Sequence, residues 1–418
     1  MLLSLSFLLL FLFLDFPTLA TDASYESQID ASGVFSFSAE TIAEIDRAVE
    51  NVIAEQNTPG AVLLVGHNRK VVLSKAYGNR SIEPLAEPMT LDTIFDLASL
   101  TKVVATAPAI MLLVQQGKVK LEDPVAKYLP SFAQRGKGKI TVRHLMIHYS
   151  GLPADLRLSK RRKISSKNLL NKIYQVKPLA RPGERFIYSD LGFVVLGKVI
   201  ERVSGMTLDK FTEKHVFNPL GMTSTCFLPS SREINRIAPT ERRKDGSMMR
   251  GQVHDPLASK LGGVAGDAGL FSTAQDLSRF CQMFLDHGML DGIKILKPEI
   301  IAQMTSPQTP EGKTDIRGMG WDIQSRYSSA KGDFFSSHSY GHTGYTGTSL
   351  WIDPETQTFL IILANRVHPN GKGNVKDLRT IIANLVGASI LSDPESSVFA
   401  DTKVPWGPRL QDTSVPTP

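Results

Sequence analysis

Asp96-Leu97-Ala98-Ser99-Leu100-Thr101-Lys102-Val103-Val104 is the stretch on which the reading of this chain turns. A polar entry, Asp96-Leu97-Ala98, gives way at Ser99 to an apolar helical run that continues through Ile110, Met111 and Leu112. Ser99 and Lys102, three residues apart on a helix, share one face. A serine hydroxyl is a weak nucleophile until a base takes its proton, and a lysine amine serves if burial and neighbouring cations lower its pKa. The helix start adds backbone N–H groups suited to developing negative charge. Spacing alone decides nothing, because Ser328 and Lys331 repeat it in a Gly- and Ser-rich stretch with no apolar helix behind it.

Two further segments stand out downstream. Tyr188-Ser189-Asp190 follows the turn Arg181-Pro182-Gly183-Glu184 and precedes a helical run containing Phe193, Val195, Leu196 and Ile200. A loop tyrosine relays a proton when cations stabilise its phenolate, although on its own a helix-capping tyrosine is the plainer reading. Gly341-His342-Thr343-Gly344-Tyr345 leads into the last strand pair, where its glycines permit close backbone approach and a free N–H could face an acyl oxygen. By itself such a segment reads as a bulge.

Around these segments the chain is organised in three parts. Ser38 to Gln56 predicts an amphipathic helix capped by Ser38, with Ile42, Ile45, Val49, Val52 and Ile53 at helical spacing. Ala61–Val65 and Val71–Ala76 flank His67-Asn68-Arg69 as an antiparallel hairpin. Thr348–Ile352 and Thr358–Leu363 flank Asp353-Pro354-Glu355 as a second hairpin, closed by a helix from Asp377 to Ile390. Between them Lys102–Gln116, Leu191–Val203, Leu208–His215 and Ala274–Asp286 read as helices. The expected fold is α+β: an antiparallel sheet flanked by helices, with sheet-forming ends at 38–90 and 256–390 and an inserted helix-rich middle at 91–255.

Composition bounds the function classes. With 418 residues, 42% hydrophobic and 21% charged, the chain is globular and long enough for two lobes sharing a cleft. Two cysteines, Cys226 and Cys281, exclude a disulfide framework and a cysteine-based zinc cluster, and leave their own pairing open. His144 and His148 lie four apart, but no third ligand accompanies them, and no metal or other cofactor is expected. The run Leu2–Leu14, then Pro17 and Thr18-Leu19-Ala20, reads as a signal peptide over residues 1–20, hence an exported, periplasmic or secreted protein. The run has no basic n-region and Asp15 interrupts it, so an uncleaved anchor is the alternative and the sole expected membrane contact. Much of the net charge of +6 sits in Arg157, Lys160, Arg161, Arg162, Lys163 and Lys167. Without interleaved aromatics this stretch reads as a solvated loop rather than a nucleic-acid surface. Residues 391–418 read as a polar tail.

The order Ser-x-x-Lys, Tyr-Ser-Asp, His-Thr-Gly resembles the penicillin-recognising serine hydrolases, and more narrowly the class C β-lactamase family with its D-Ala-D-Ala carboxypeptidases and esterases. Thr141–Pro153 and Gly262–Thr273 are similar to further stretches of that family, so the resemblance runs from Ser38 to Ile390. It implies Ser99 as the acylated nucleophile, Lys102 as its base and Tyr188 as proton shuttle. It also implies an oxyanion hole from the backbone N–H groups of Ser99 and Tyr345, with Asp190, His342, Thr343 and Gly344 at the substrate.

Two positions depart from the β-lactamase pattern. Asp190 stands where asparagine is usual, replacing a neutral donor by an acceptor that either repels carboxylates or pairs with Lys102. His342 replaces lysine and removes a fixed positive charge. The expected activity is therefore that of a carboxypeptidase-like peptidase or carboxylesterase acting on a small molecule or peptide, cell-wall peptide included. A β-lactamase is the alternative, and a catalytically silent scaffold of the same fold is the non-enzyme one. His254-Asp255 is left without a mechanism, and the oligomeric state is left open.

Overall fold

The computed structural model describes residues 28–29, 35–156 and 164–392. The leader at 1–20, the segment 157–163 of the basic stretch and the tail from 393 lie outside the described residues. The central element is an eight-stranded antiparallel sheet. In chain order its strands are β1 (Gly60–His67), β2 (Lys70–Ser81), β3 (Glu87–Pro88), β4 (Ile316–Arg317), β5 (Asp322–Gln324), β6 (Tyr340–Thr343), β7 (Ser349–Asp353) and β8 (Thr358–Ala364). In space the order is β4-β5-β6-β7-β8-β1-β2-β3. The two hairpins are as the sequence predicts, and they are joined edge to edge: β8 pairs with β1 from Thr358 opposite His67 to Ala364 opposite Ala61. The first turn is one residue tighter than expected. His67 pairs with Lys70, leaving Asn68 (φ 47°) and Arg69 (φ 64°) as a two-residue left-handed turn that matches the twist of its strands.

Both faces of the sheet are covered, which is why its central strands read as unbroken apolar runs. Ala61, Leu63 and Val65 of β1, with Leu360 and Ile362 of β8 and Trp351 of β7, join one core. Helices α1 (Ala39–Ala54) and α5 (Lys376–Leu391) pack on that side through Ile45, Val49, Leu378, Ile382 and Val386. Ser38 caps α1 by accepting the N–H of Thr41 at 3.0 Å. The alternate residues Val62, Leu64, Leu350, Ile352, Phe359 and Ile361 face the larger core. There they meet α4 (Ala274–Leu285), which lies against β8 and β1.

The rest of the larger core is helical. Helices α2 (Ala107–Gln115) and α3 (Asp190–Ser204) pack together through residues that include Ile110, Leu113, Val195 and Leu196. The expected helix from Lys102 is not regular throughout. Its first turn is wide, with the N–H of Ala107 reaching back five residues to the carbonyl of Lys102. A similar wide turn over Glu213–Phe217 extends the short helix Leu208–Thr212. Helix α5 runs through Leu391, so that residue is helical rather than part of the tail. Cys226 and Cys281 are free thiols. A small three-stranded sheet, Phe95–Asp96, Leu270–Ser272 and Cys226–Phe227, fixes the chain just before Ser99.

Candidate active site

After the strand Phe95–Asp96 the chain bends sharply. Ala98 has φ 52°, a left-handed conformation costly for a residue with a Cβ. The N–H of Ser99 turns back to the carbonyl of Leu97 at 2.7 Å, closing a three-residue turn around Ala98. Two side chains hold this elbow. Asp96 Oδ1 accepts the N–H of Ala98 at 2.9 Å, and Thr101 Oγ1 donates to the carbonyl of Ala98 at 2.7 Å. Ser99 is left half-buried at the start of the helix.

Lys102 is fully buried. Its Nζ lies 2.7 Å from Asp190 Oδ1, 2.9 Å from the carbonyl of Asp267 and 3.1 Å from Ser99 Oγ. A carboxylate and a carbonyl only accept, so two of the three positions around Nζ must carry N–H. The third, facing Ser99, is where a lone pair sits whenever the amine is neutral. Burial alone would push Lys102 down, but Asp190, with Tyr188 and Asp267, outweighs it and holds the amine above the ordinary lysine range. The condition that burial and neighbouring cations lower this pKa is therefore not met. The closest charge is the carboxylate of Asp190, so the resting amine is an ammonium.

Tyr188 sits on the far side of that ammonium, with Nζ 5.1 Å from its ring centroid. Ser99 and Lys102 lie beside its phenol group. Burial raises the phenol, the charge of Lys102 pulls it back and Asp190 pushes it up again, leaving it above the ordinary tyrosine value. His148 stacks on the tyrosine ring at 4.3 Å, and its Nδ1 accepts the N–H of Ser189 at 3.0 Å. Burial, then the charges of Arg317 and Lys102, keeps His148 neutral, so it orients Tyr188 without charging the site. His144 is occupied differently, with Nδ1 accepting the N–H of Thr141 at 3.1 Å in a helix cap. Asp190 opens α3, where Ser189 is the cap and accepts the N–H of Gly192 at 3.3 Å.

The third segment forms the opposite wall. His342 and Thr343 lie on β6, and the rings of Tyr188 and His342 are 5.9 Å apart. His342 Nδ1–H donates to the carbonyl of Thr343 at 2.9 Å, which leaves Nε2 as a buried acceptor with no partner among the described residues. Burial, then the charges of Arg317 and Lys102, holds this ring well below the ordinary histidine value, hence neutral. Gly344 is required sterically. A Cβ there would stand 2.1 Å from Thr348 Oγ1 and 2.5 Å from the carbonyl of Leu97, so this loop lies directly against the elbow. The side chain of Tyr345 is exposed, flanked by the guanidinium of Arg366 at 4.4 Å and by the ring of His254 at 5.7 Å.

Ser328 and Lys331, the second match to the spacing, make no such site. Lys331 donates to the carbonyls of Ile323 and Ser336 at 3.3 Å each, and Ser328 Oγ accepts the N–H of Ser325. The sequence offers no signal for His148 beyond its spacing from His144, none for Asp96 beyond a polar entry, and none for Asp267 by itself. Burial pushes the Asp267 carboxyl well above the carboxylate range, with Asp255 and Asp190 adding to the rise. Only distance in space, not sequence spacing, marks these residues.

Comparison with known proteins gives the family. The Beta-lactamase family model matches residues 45–385. A protein of Salmonella typhimurium, provisionally named a D-alanyl-D-alanine carboxypeptidase, is 34% identical over 367 residues, covering 79% of this chain and 84% of its own. EstCE1, described as a hydrolase with promiscuous acyltransferase activity, superposes with a TM-score of 0.69 at 22% identity over 83% of this chain and 98% of its own. A penicillin-binding protein homologue from Caulobacter crescentus gives 0.68 at 21% identity over 85% and 98%. With the family model spanning most of its length, and a serine, a lysine and a tyrosine converging at the cleft, this chain belongs to the Beta-lactamase family and is a serine hydrolase.

Proposed function

We propose that the protein cleaves amide or ester bonds through an acyl-enzyme on Ser99, acting as a D-alanyl-D-alanine carboxypeptidase-like peptidase. The observation that carries this reading is the contact of Lys102 Nζ with Ser99 Oγ at 3.1 Å while Asp190 lies 2.7 Å away. Lys102 rests as an ammonium, so it takes the proton of Ser99 only by passing one of its own to Asp190. Ser99 Oγ then bonds to the carbonyl carbon, and the oxyanion faces the N–H groups of Ser99 and Tyr345. The first of these must leave its bent bond to Leu97 or share it. Collapse breaks the bond to the amine or alcohol, which takes its proton through Tyr188, and water repeats the sequence to release the acid. His342 Nε2, Thr343 and Gly344 line the side where the substrate lies.

The relative's provisional name supports the peptidase. The neutral state of His342 supports a carboxylesterase as second reading, because it offers no fixed cation to a substrate carboxylate. Action outside the cytoplasm, on cell-wall peptide, rests on the leader at 1–20 alone.

Intact-mass spectrometry after exposure to a fluorophosphonate, a penicillin, a p-nitrophenyl ester and a D-alanyl-D-alanine peptide tests the reading. Fluorophosphonate should add one adduct, and release of D-alanine ranks the peptidase above the esterase. No adduct with any reagent overturns the acyl-enzyme. Tyr188→Phe is expected to slow acylation and deacylation together by about 10²–10³-fold. Single-turnover kinetics with unchanged rates for both steps would remove the phenol from the proton path.

A further inference from the structure

We propose that Asp96 is a positioning residue that sets the distance between the two backbone donors of the oxyanion hole, Ser99 and Tyr345; this rests on the acyl-enzyme reading above. Asp96 is 2% exposed, and every polar part of it except the N–H is engaged with one or the other half of the cleft. Oδ1 accepts the N–H of Ala98 at 2.9 Å and so holds the left-handed elbow that carries the N–H of Ser99. Oδ2 accepts the N–H of His254 at 2.7 Å, and the ring of His254 lies parallel to that of Tyr345, 18° between planes. The carbonyl of Asp96 accepts Thr346 Oγ1 at 2.7 Å, one residue beyond Tyr345. The next carbonyl, of Leu97, accepts Thr348 Oγ1 at 3.1 Å. One residue thus ties the strained serine turn to the loop bearing the second donor. It also gives His254 a place, between Asp96 and the ring of Tyr345.

The choice of aspartate follows from the two acceptors required. Both partners of its carboxylate are backbone N–H groups, so an amide at this position would satisfy one and set an NH₂ against the other. Backbone strain of the kind held at Ala98 persists only where the surroundings over-determine it. Burial pushes the Asp96 carboxyl up to about 6, countered by the N–H groups of His254 and Ala98 and the charge of His254 and assisted by Asp255.

Asp96→Asn tests the proposal, with Thr346→Val as a second variant that leaves the carboxylate in place. The readout is the kcat/KM ratio of an ester to its thionoester, whose larger sulfur is rejected by a well-spaced oxyanion hole. In Asp96→Asn the ester rate should fall by about 10²-fold, as for loss of one oxyanion donor, with the ester-to-thionoester ratio falling at least tenfold and KM changing little. Thr346→Val should lower the ratio in the same direction by a smaller factor. A ratio unchanged in both variants, whatever the rates, overturns the proposal and leaves Asp96 a merely structural residue. Wild-type protein that hydrolyses neither ester through Ser99 overturns the underlying acyl-enzyme instead.

Discussion

Replacing Ser99 by Ala is expected to abolish the covalent adduct and lower turnover by about 10⁴–10⁶-fold, the range seen when a nucleophile acting as part of a unit is removed. The size follows from the contacts. In the proposed mechanism Lys102, paired with Asp190, activates Ser99 Oγ, so without that atom no acyl-enzyme forms and Tyr188 has no leaving group to protonate. The fold should survive. The hydroxyl contributes one half-buried hydrogen bond from Lys102, and the ammonium keeps Asp190 and the carbonyl of Asp267, so the loss of stability should stay within about 1 kcal/mol. The elbow itself is held by Asp96 and Thr101, neither of which the substitution touches. Retention of normal turnover, or of a fluorophosphonate adduct, in a folded Ser99→Ala protein would place the chemistry elsewhere.

Lys102→Met should be nearly as damaging to activity and more so to stability. The thioether fills most of the buried space but offers neither a base to Ser99 nor donors to Asp190 and Asp267. Acylation should slow by about 10³-fold or more. Stability should fall by about 1–3 kcal/mol, the cost of leaving the Asp267 carbonyl without its buried donor. Asp190 limits the penalty, because its side chain is 28% exposed and stays hydrated. The pH dependence has a definite sign. The folded-state pKa of Lys102 lies above the unfolded value, so its contribution is fully present below the unfolded lysine pKa and is lost as pH rises through the folded one. The stability gap between wild type and variant should therefore be flat from about pH 6 to about pH 9 and close only above about pH 10.4. Denaturant unfolding across that range measures it. A gap that already shrinks near neutrality would show that Lys102 is not the resting ammonium its contacts require.

The behaviour of Lys102 also shows where sequence reasoning stops. That Ser99 and Lys102 share a helix face is local geometry, fixed by three residues of spacing. Which way the amine is pushed depends on whether the third group near it is positive or negative, and that group comes from Asp190, 88 positions along the chain. Sequence alone could name both outcomes for Asp190, repulsion of substrate carboxylates or pairing with the lysine. The observed 2.7 Å contact makes it a partner of the base.

By itself the sequence determined the parts whose information is periodic or local. These are the unbroken apolar runs of β1 and β8, the cap at Ser38, the main helices, and the three ordered motifs that carry the family resemblance. Tertiary structure decided how those parts meet. The pairing of β8 with β1 closes one sheet from strands nearly 300 residues apart, and no local pattern encodes that register. Tertiary packing also brings Gly344 against Leu97, lays His148 on Tyr188, and places Asp96 between the elbow and the Tyr345 loop. The physical reason is common to all of them. Charge state, strain and donor spacing are set by groups within a few ångströms in space, and a linear chain records only neighbours along itself.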